Sequence, residues 1–316
     1  MATLNEIVCA SADSRNVGFS SCFLDMRTIT GAFLVPNGYK VTAVELQDLQ
    51  AKLIGDAKAV PRSGRIYPIH GFQSITDSTE AKTLQTFAYG AKIVAKEADS
   101  DWSFQFTNGG LVLHSALRGF NSNNGWSVLF YDSKFTLLGT DKGDGGLYGI
   151  PTKINWADQW KPNTGSDVTV YMVQFVFESR YINENIGTVA AGSYLADILG
   201  LQDLAVSLDN FNEATGVAKV FVKTKWGANL FGTYETEIAD VTVWEAFNKA
   251  TGGAITVTSV TSSTFDKSFI VTLDIADLDY PALAQGISLN LVNASLLDAA
   301  GVIGYESMNP LSLVTV

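Results

Sequence analysis

Asp167-Val-Thr-Val-Tyr-Met-Val-Gln-Phe-Val-Phe-Glu178 decides the fold class. It is a run rich in β-branched and aromatic residues in which both alternating faces are largely apolar, the pattern of a strand covered on both sides. The run is read as a central strand, its second face covered by a helix or by a neighbouring subunit. Val173, Phe175 and Phe177 on this strand are therefore candidate interface residues.

Upstream, Thr83 to Tyr89, Ala91 to Ala95 and Trp102 to Phe106 are short β-type runs. Trp126-Ser-Val-Leu-Phe-Tyr131, the turn Asp132-Ser-Lys134 and Phe135-Thr-Leu-Leu138 form a hairpin. Leu111 to Leu117 is open between strand and short helix. One clear helix is expected near residues 43–56. Thr42 and Glu45 form a capping box ahead of an apolar stripe of Leu46, Leu49, Leu53 and Ile54. Such a helix packs on something flat, which should be a sheet. Gly139 to Thr164, rich in Gly, Asp, Pro and Trp, reads as a long ordered loop, and loops of that length usually carry function or contacts.

Downstream the texture changes near Ala190-Ala-Gly-Ser-Tyr-Leu195. Strands are expected at Leu204 to Leu208, Val217 to Lys223, Phe231 to Val243, Ala254 to Thr261, Phe269 to Ile275 and Ile287 to Val292. Trp244 to Ala250 reads as a brief helix or irregular crossover. The rhythm matches an immunoglobulin-like β-sandwich, without its Cys/Trp/Cys core. The chain is thus expected to be mainly β, with a two-sheet or barrel-like domain at 1–198 and an immunoglobulin-like sandwich at 199–316.

Of the 316 residues, 47% are apolar and only 17% charged, against a usual charged share of about 25%. Such a surface suits contact with other subunits as well as it suits a Thr/Asn-rich monomer. The formal charge of −11 argues against a protein that grips phosphate backbones. Residues 1–198 carry a net −3 and residues 199–316 a net −8. The N-terminus has no basic region followed by an apolar run, and no stretch of eighteen apolar residues occurs, so folding in a cytoplasm is expected. Cys9 and Cys22 are then expected as thiols, and the sequon Asn293-Ala-Ser295 as chance.

Chemistry is sparse. His70 and His114 lack partners at metal-ligand spacing, and no Gly-x-Ser-x-Gly elbow supports a triad. Gly143-Asp-Gly-Gly146 is neither a phosphate-binding loop nor a dinucleotide fingerprint. Neither an enzymatic activity nor a cofactor is expected. Asp274, Asp277 and Asp279 form a weak calcium candidate, and Asp99 with Asp101 a weaker one. Trp102, Phe104 and Phe106 alternate on one strand face and read as core. Tyr148, Trp156 and Trp160 in the long loop read as candidate interface residues, or as rings that stack on sugars.

Ala250-Thr-Gly-Gly-Ala-Ile-Thr-Val-Thr-Ser-Val-Thr261, Phe269-Ile-Val-Thr-Leu-Asp274 and Ala299-Ala-Gly-Val-Ile-Gly-Tyr-Glu-Ser307 resemble the strands and last loop of immunoglobulin-like domains on tailed-phage virion proteins. The early helix, the Gly-rich hairpins and the strand Asp167 to Glu178 resemble a major tail (tube) protein. The resemblance implies a virion structural protein, assembled in the host cytoplasm into stacked rings that form a tube. Its partners would be itself and other virion proteins, with DNA passing unbound. Two other readings stay open: an adaptor, capsid-associated or decoration protein, and a carbohydrate-binding adhesive sandwich that meets host-surface glycan through Trp156 and Trp160.

Overall fold

The computed structural model describes residue 4 and residues 27–60, 62–107, 109–166, 168–212, 214–249, 251–274, 276, 286–309 and 311–313. Cys9 and Cys22, Asp277 and Asp279 lie outside them. Strands make up 45% and helices 19%, so the protein is mainly β. It divides into two compact units, Met1–Leu199 and Gly200–Val316. Among the described residues no helix is long and apolar enough to cross a membrane.

Unit 1 begins with β1 (Ile29–Pro36), β2 (Lys40–Val41), α1 (Leu49–Ala57), β3 (Tyr67–His70), β4 (Ser74–Asp77), β5 (Thr83–Thr86), β6 (Lys92–Lys96) and β7 (Ser100–Phe106). It continues with α2 (Gly110–Arg118), β8 (Ser122–Asn123), β9 (Trp126–Asp132), β10 (Thr136–Asp141), β11 (Leu147–Tyr148), β12 (Ile150–Pro151), β13 (Ile154–Ala157), β14 (Tyr171–Phe177), α3 (Arg180–Asn183) and β15 (Ile186–Ala190). An eight-stranded sheet runs β2-β11-β10-β9-β1-β3, with β12 also on β9 and β15 on β10. A five-stranded sheet runs β4-β7-β14-β13-β8, and among the described residues β5 pairs only with β6.

Three layers result. Ala32, Leu34, Val128 and Phe130 of the large sheet pack on Phe104, Phe106, Val173, Phe175 and Phe177 of the five-stranded sheet. The large sheet's other face, with Phe33, Val35, Leu129 and Tyr131, is covered by Leu46, Leu49 and Leu53 of the helical segment. The strands buried on both sides are consequently β1, β9 and β10 of the large sheet, with Gly31 to Val35, Ser127 to Asp132 and Leu137 to Thr140 all buried, and not β14. In β14 burial alternates strictly, Tyr171, Val173, Phe175 and Phe177 inside and Met172, Gln174 and Val176 half-buried. The expectation of a doubly covered β14 is corrected because α1 lies on the opposite sheet.

The capping box forms: Thr42 N donates to Glu45 Oε2 at 2.8 Å and Glu45 N donates to Thr42 Oγ1 at 3.3 Å. The Thr42 amide and then Lys52 hold the Glu45 carboxyl down at about 2. The turn it opens is a 3-10 turn (Glu45–Asp48), and Asp48 caps α1 itself by accepting from Ala51 N. Leu111 to Leu117 is helical, within α2. Within the expected long loop 139–164 lie three short strands, β11, β12 and β13, each clipped to a longer strand.

Asp132 ends β9 with a fully buried carboxylate. Its Oδ1 accepts from Lys134 N at 2.9 Å and Thr136 N at 2.8 Å, and its Oδ2 accepts from Arg27 N at 3.0 Å. This closes the hairpin turn, in which Phe135 takes a positive φ of 61°.

Unit 2 comprises β16 (Gln202–Asn212), β17 (Val217–Thr224), α4 (Phe231–Ile238), β18 (Trp244–Asn248), β19 (Ala254–Ile255), β20 (Val257–Ser263), β21 (Ser268–Leu273), β22 (Ile287–Leu291), α5 (Ala294–Ala299), β23 (Tyr305–Asn309) and β24 (Leu311–Leu313). Its sheets run β20-β21-β17-β16-β23 and β19-β18-β22-β24. Lettered in chain order, with β23 and β24 together as G, these are D-E-B-A and C′-C-F-G, the order of an immunoglobulin-like sandwich. Val220, Val222, Phe269 and Val271 face Trp244, Ala246, Leu289 and Leu291 across the core.

Two expectations are corrected here. Phe231 to Val243 is α4, kinked at Tyr234, followed by a 3-10 turn, not a strand, and Phe231 and Ile238 at its two ends are both buried in the core. Trp244 to Asn248 is strand C, not a helix, and Trp244 is the core tryptophan the sequence reading missed. It is buried and its Nε1 donates to Ile238 O at 2.8 Å. The sequon asparagine caps α5, Asn293 Oδ1 accepting from Ser295 N and Leu296 N.

Candidate assembly surface

The most exposed regular structure in unit 1 is the arm between β4 and β7. Its base is held by the register Ser74↔Gln105 to Asp77↔Trp102 and by Ser78 N donating to Asp101 O at 2.8 Å. Its outer half is β5 and β6, paired as Leu84↔Val94, Gln85↔Ile93 and Thr86↔Lys92. Phe87 N donates to Ala91 O and Gly90, at φ +87°, turns the tip. The rings of Phe87 and Tyr89 stack there with centroids 5.4 Å apart.

Residues 73–86 and 88–97 are all exposed. Leu84 and Val94, directly opposite one another, share a face and are 47% and 53% exposed, while neighbouring Ile93 is turned to the other face and is 47% exposed. A two-stranded hairpin is marginal on its own, and grouped exposed aliphatics mark contact sites. From Lys82 to Lys96 the arm carries three lysines and no carboxylate, against the net −11 of the chain.

The five-stranded sheet adds two further features. Its outward face carries the row Trp156, Gln174, Ser103 and Thr76, beside Met172, Val176, Gln105 and Asp101. Gln174 Nε2 donates to Asp101 Oδ1 at 2.7 Å. None of its five strands contains Lys or Arg. Its edge strand β4 is exposed at every residue, with one side unpaired among the described residues.

No protein-family model and no curated protein matches the chain.

The residues singled out from sequence are placed as follows. Trp156 and Trp160 stand 43% and 39% exposed, on and just after β13. Tyr148 is already engaged: its hydroxyl donates to Asp144 Oδ2, which also pairs with Lys40 at 2.6 Å, and Lys142 Nζ lies 4.2 Å from its ring centroid. Lys40 first, and then Tyr148, hold the Asp144 carboxyl well below the usual range. Val173, Phe175 and Phe177 are withdrawn as interface candidates, because all three are buried between the sheets. Asp274 accepts from Ala276 N in its own turn. Asp99 pairs with Lys153 at 2.8 Å. Among the described residues no three His, Cys, Asp or Glu side chains gather around a metal-sized site.

Both histidines are tied to backbone. His114 Nε2 meets Asp158 O at 2.5 Å, fixing α2 to the segment after β13. His70 Nε2 meets Ile198 O at 2.7 Å, so that nitrogen carries the proton, and its Nδ1 accepts from Tyr131 Oη at 2.6 Å. Burial lowers the His70 pKa from its ordinary 6.5.

Sequence reasoning found the strands of the arm but not its projection. The available signal was the combination of lysines near both ends of the hairpin with apolar residues on both of its faces.

Proposed function

We propose that the chain is a tailed-phage virion structural protein that self-assembles into stacked rings forming a tail tube. The observation that carries this reading is the arm 78–99, whose aliphatic residues on both faces are exposed, with no covering element among the described residues. A second copy supplies the missing cover, with the arm of each subunit lying on a subunit of the next ring. The open edge at β4 supports lateral joining, since strand addition between neighbours removes free edges around a closed ring. Obligate interfaces of this kind bury roughly 2,000 Å² or more, which accords with a chain only 17% charged.

The outward face of the five-stranded sheet suits the lumen of such a tube. Built on strands without Lys or Arg, and with Asp101 on it, this face offers DNA no counterion-releasing contacts and lets it slide. The acidic immunoglobulin-like unit would face solvent or a cell surface in this reading. In this reading assembly occurs in the host cytoplasm and needs no cofactor.

The test is negative-stain electron microscopy of the intact protein across concentration and salt. Regular tubes of stacked rings are expected. Single closed rings would move the assignment to an adaptor, and a persistent monomer under all conditions would overturn self-assembly.

A further inference from the structure

Unit 2 carries two exposed aromatic side chains in turns, Trp226 at 54% and Phe265 at 99%. Trp226 lies in the turn from β17 to α4 and Phe265 in the turn from β20 to β21. The two turns are joined, because Asn229 Nδ2 donates to Lys267 O at 3.1 Å. Both are rigid. In the first, Gly227 takes φ +88°, Gly227 N donates to Thr224 O at 2.8 Å and Ala228 N donates to Thr224 Oγ1 at 3.1 Å. In the second, Asp266 is clasped by Lys219 and by Ser268 Oγ, the latter at 2.8 Å.

The charge around these rings is opposite to that of the unit. From Gly200 onward there are five basic residues against thirteen acidic ones. Lys219 is spent between Asp209 and Asp266, and Lys223 lies 4.9 Å from the Phe221 ring centroid. Lys225 and Lys267 are exposed, sit in the two joined turns, and hold no salt bridge among the described residues. Two aromatic faces and two uncommitted ammonium groups are thus concentrated at one end of an otherwise acidic sandwich.

We propose that these turns form a binding site for an anionic saccharide. Trp226 and Phe265 present flat apolar faces to the C–H faces of sugar rings. Lys225 and Lys267 meet the carboxylate or other anionic substituents, and Asn229 stands between the turns. Size favours this ligand over a protein face. Two rings offer on the order of 150–250 Å² each when fully buried, well short of the ~1,000 Å² a specific protein interface needs. The fixed turns limit the entropy lost on binding. This site belongs to unit 2 and stands independently of the tube assignment.

The test is isothermal titration calorimetry of the intact protein with tetragalacturonate as probe and maltotetraose as the neutral comparison. One tetragalacturonate per chain is expected, bound more tightly than maltotetraose. Trp226→Ala and Phe265→Ala should each weaken it about tenfold, roughly the discrimination of one good contact. Lys225→Ala with Lys267→Ala should abolish the preference for the acidic sugar, and Trp156→Ala with Trp160→Ala should leave binding unchanged. Because all these side chains are exposed, unchanged unfolding midpoints certify the variants. Absence of binding to tetragalacturonate, or binding that survives both aromatic substitutions, overturns the proposal. So does self-association that Phe265→Ala abolishes, which would give the patch to a second copy of the chain.

Discussion

Replacing Leu84, Ile93 and Val94 together by Thr tests the arm most directly. Threonine keeps the β-branched stiffness that suits a strand and removes the aliphatic surface. Burying a Val, Leu or Ile side chain fully is worth about 1.5–3 kcal/mol. These three are 47%, 47% and 53% exposed in the subunit, so docking gains roughly half of that for each, about 2–4 kcal/mol per arm. At 1.4 kcal/mol per factor of ten, the concentration at which the protein assembles should rise about 30- to 1,000-fold. Sedimentation of assembled material against total protein concentration reads this directly. The unfolding midpoint of the unassembled subunit should not move, since the three side chains lie outside its core clusters. An unchanged assembly threshold in a normally folded variant would refute the assignment of the arm as the joining element.

Three further outcomes follow from the fold. Asp132→Ala leaves the amides of Lys134 and Thr136 without their acceptor and should cost about 2–5 kcal/mol in urea denaturation, whereas Asp132→Asn, keeping one carbonyl oxygen, should cost about half. His70 is neutral in the folded state and its pKa is lowered from 6.5 by burial. The unfolded chain therefore takes up its proton first, and unit 1 should lose stability as pH falls through and below about 6.5. Urea midpoints between about pH 7.5 and pH 5 should show this slope, and His70→Asn should flatten it. Gly31→Ala places its new methyl against Tyr131 Oη and Cζ, costing roughly 1–3 kcal/mol. Tyr131→Phe should give no relief, because the ring carbon remains; relief in that double variant would show that the hydroxyl alone is the obstacle.

Much of this architecture was legible in residue patterns. Period-two runs such as Ser268 to Leu273 gave the sandwich strands because one of their faces is buried and one is wet. Thr42, Glu45 and the leucine stripe gave the helix, and its restart at Asp48 escaped because capping residues compete over one turn. The apolar character of β14 misled, since Met172 and Val176 sit on an open face and no local pattern distinguishes an apolar residue covered by its own fold from one left bare. Strand C was missed because Trp244 to Asn248 follows the 3-10 turn Val241–Val243 with no separating Gly or Pro. Trp226 and Phe265 escaped for a different reason: aromatics near strand ends read as core until tertiary structure shows which way the turn faces.

In unit 2 the first strand and a strand near the end of the unit lie side by side and run the same way, Gln202 against Tyr305, Asp203 against Glu306 and Leu204 against Ser307. A pull on the unit at Gln202 in one direction and beyond Asn309 in the other therefore loads the β16–β23 hydrogen bonds in shear, all at once, instead of peeling them one after another. Leu311 to Leu313 continue directly into the opposite sheet on β22, so the same tension is shared by both halves of the sandwich. Extending the unit in this direction requires the β16–β23 bonds to part together before the sandwich can open.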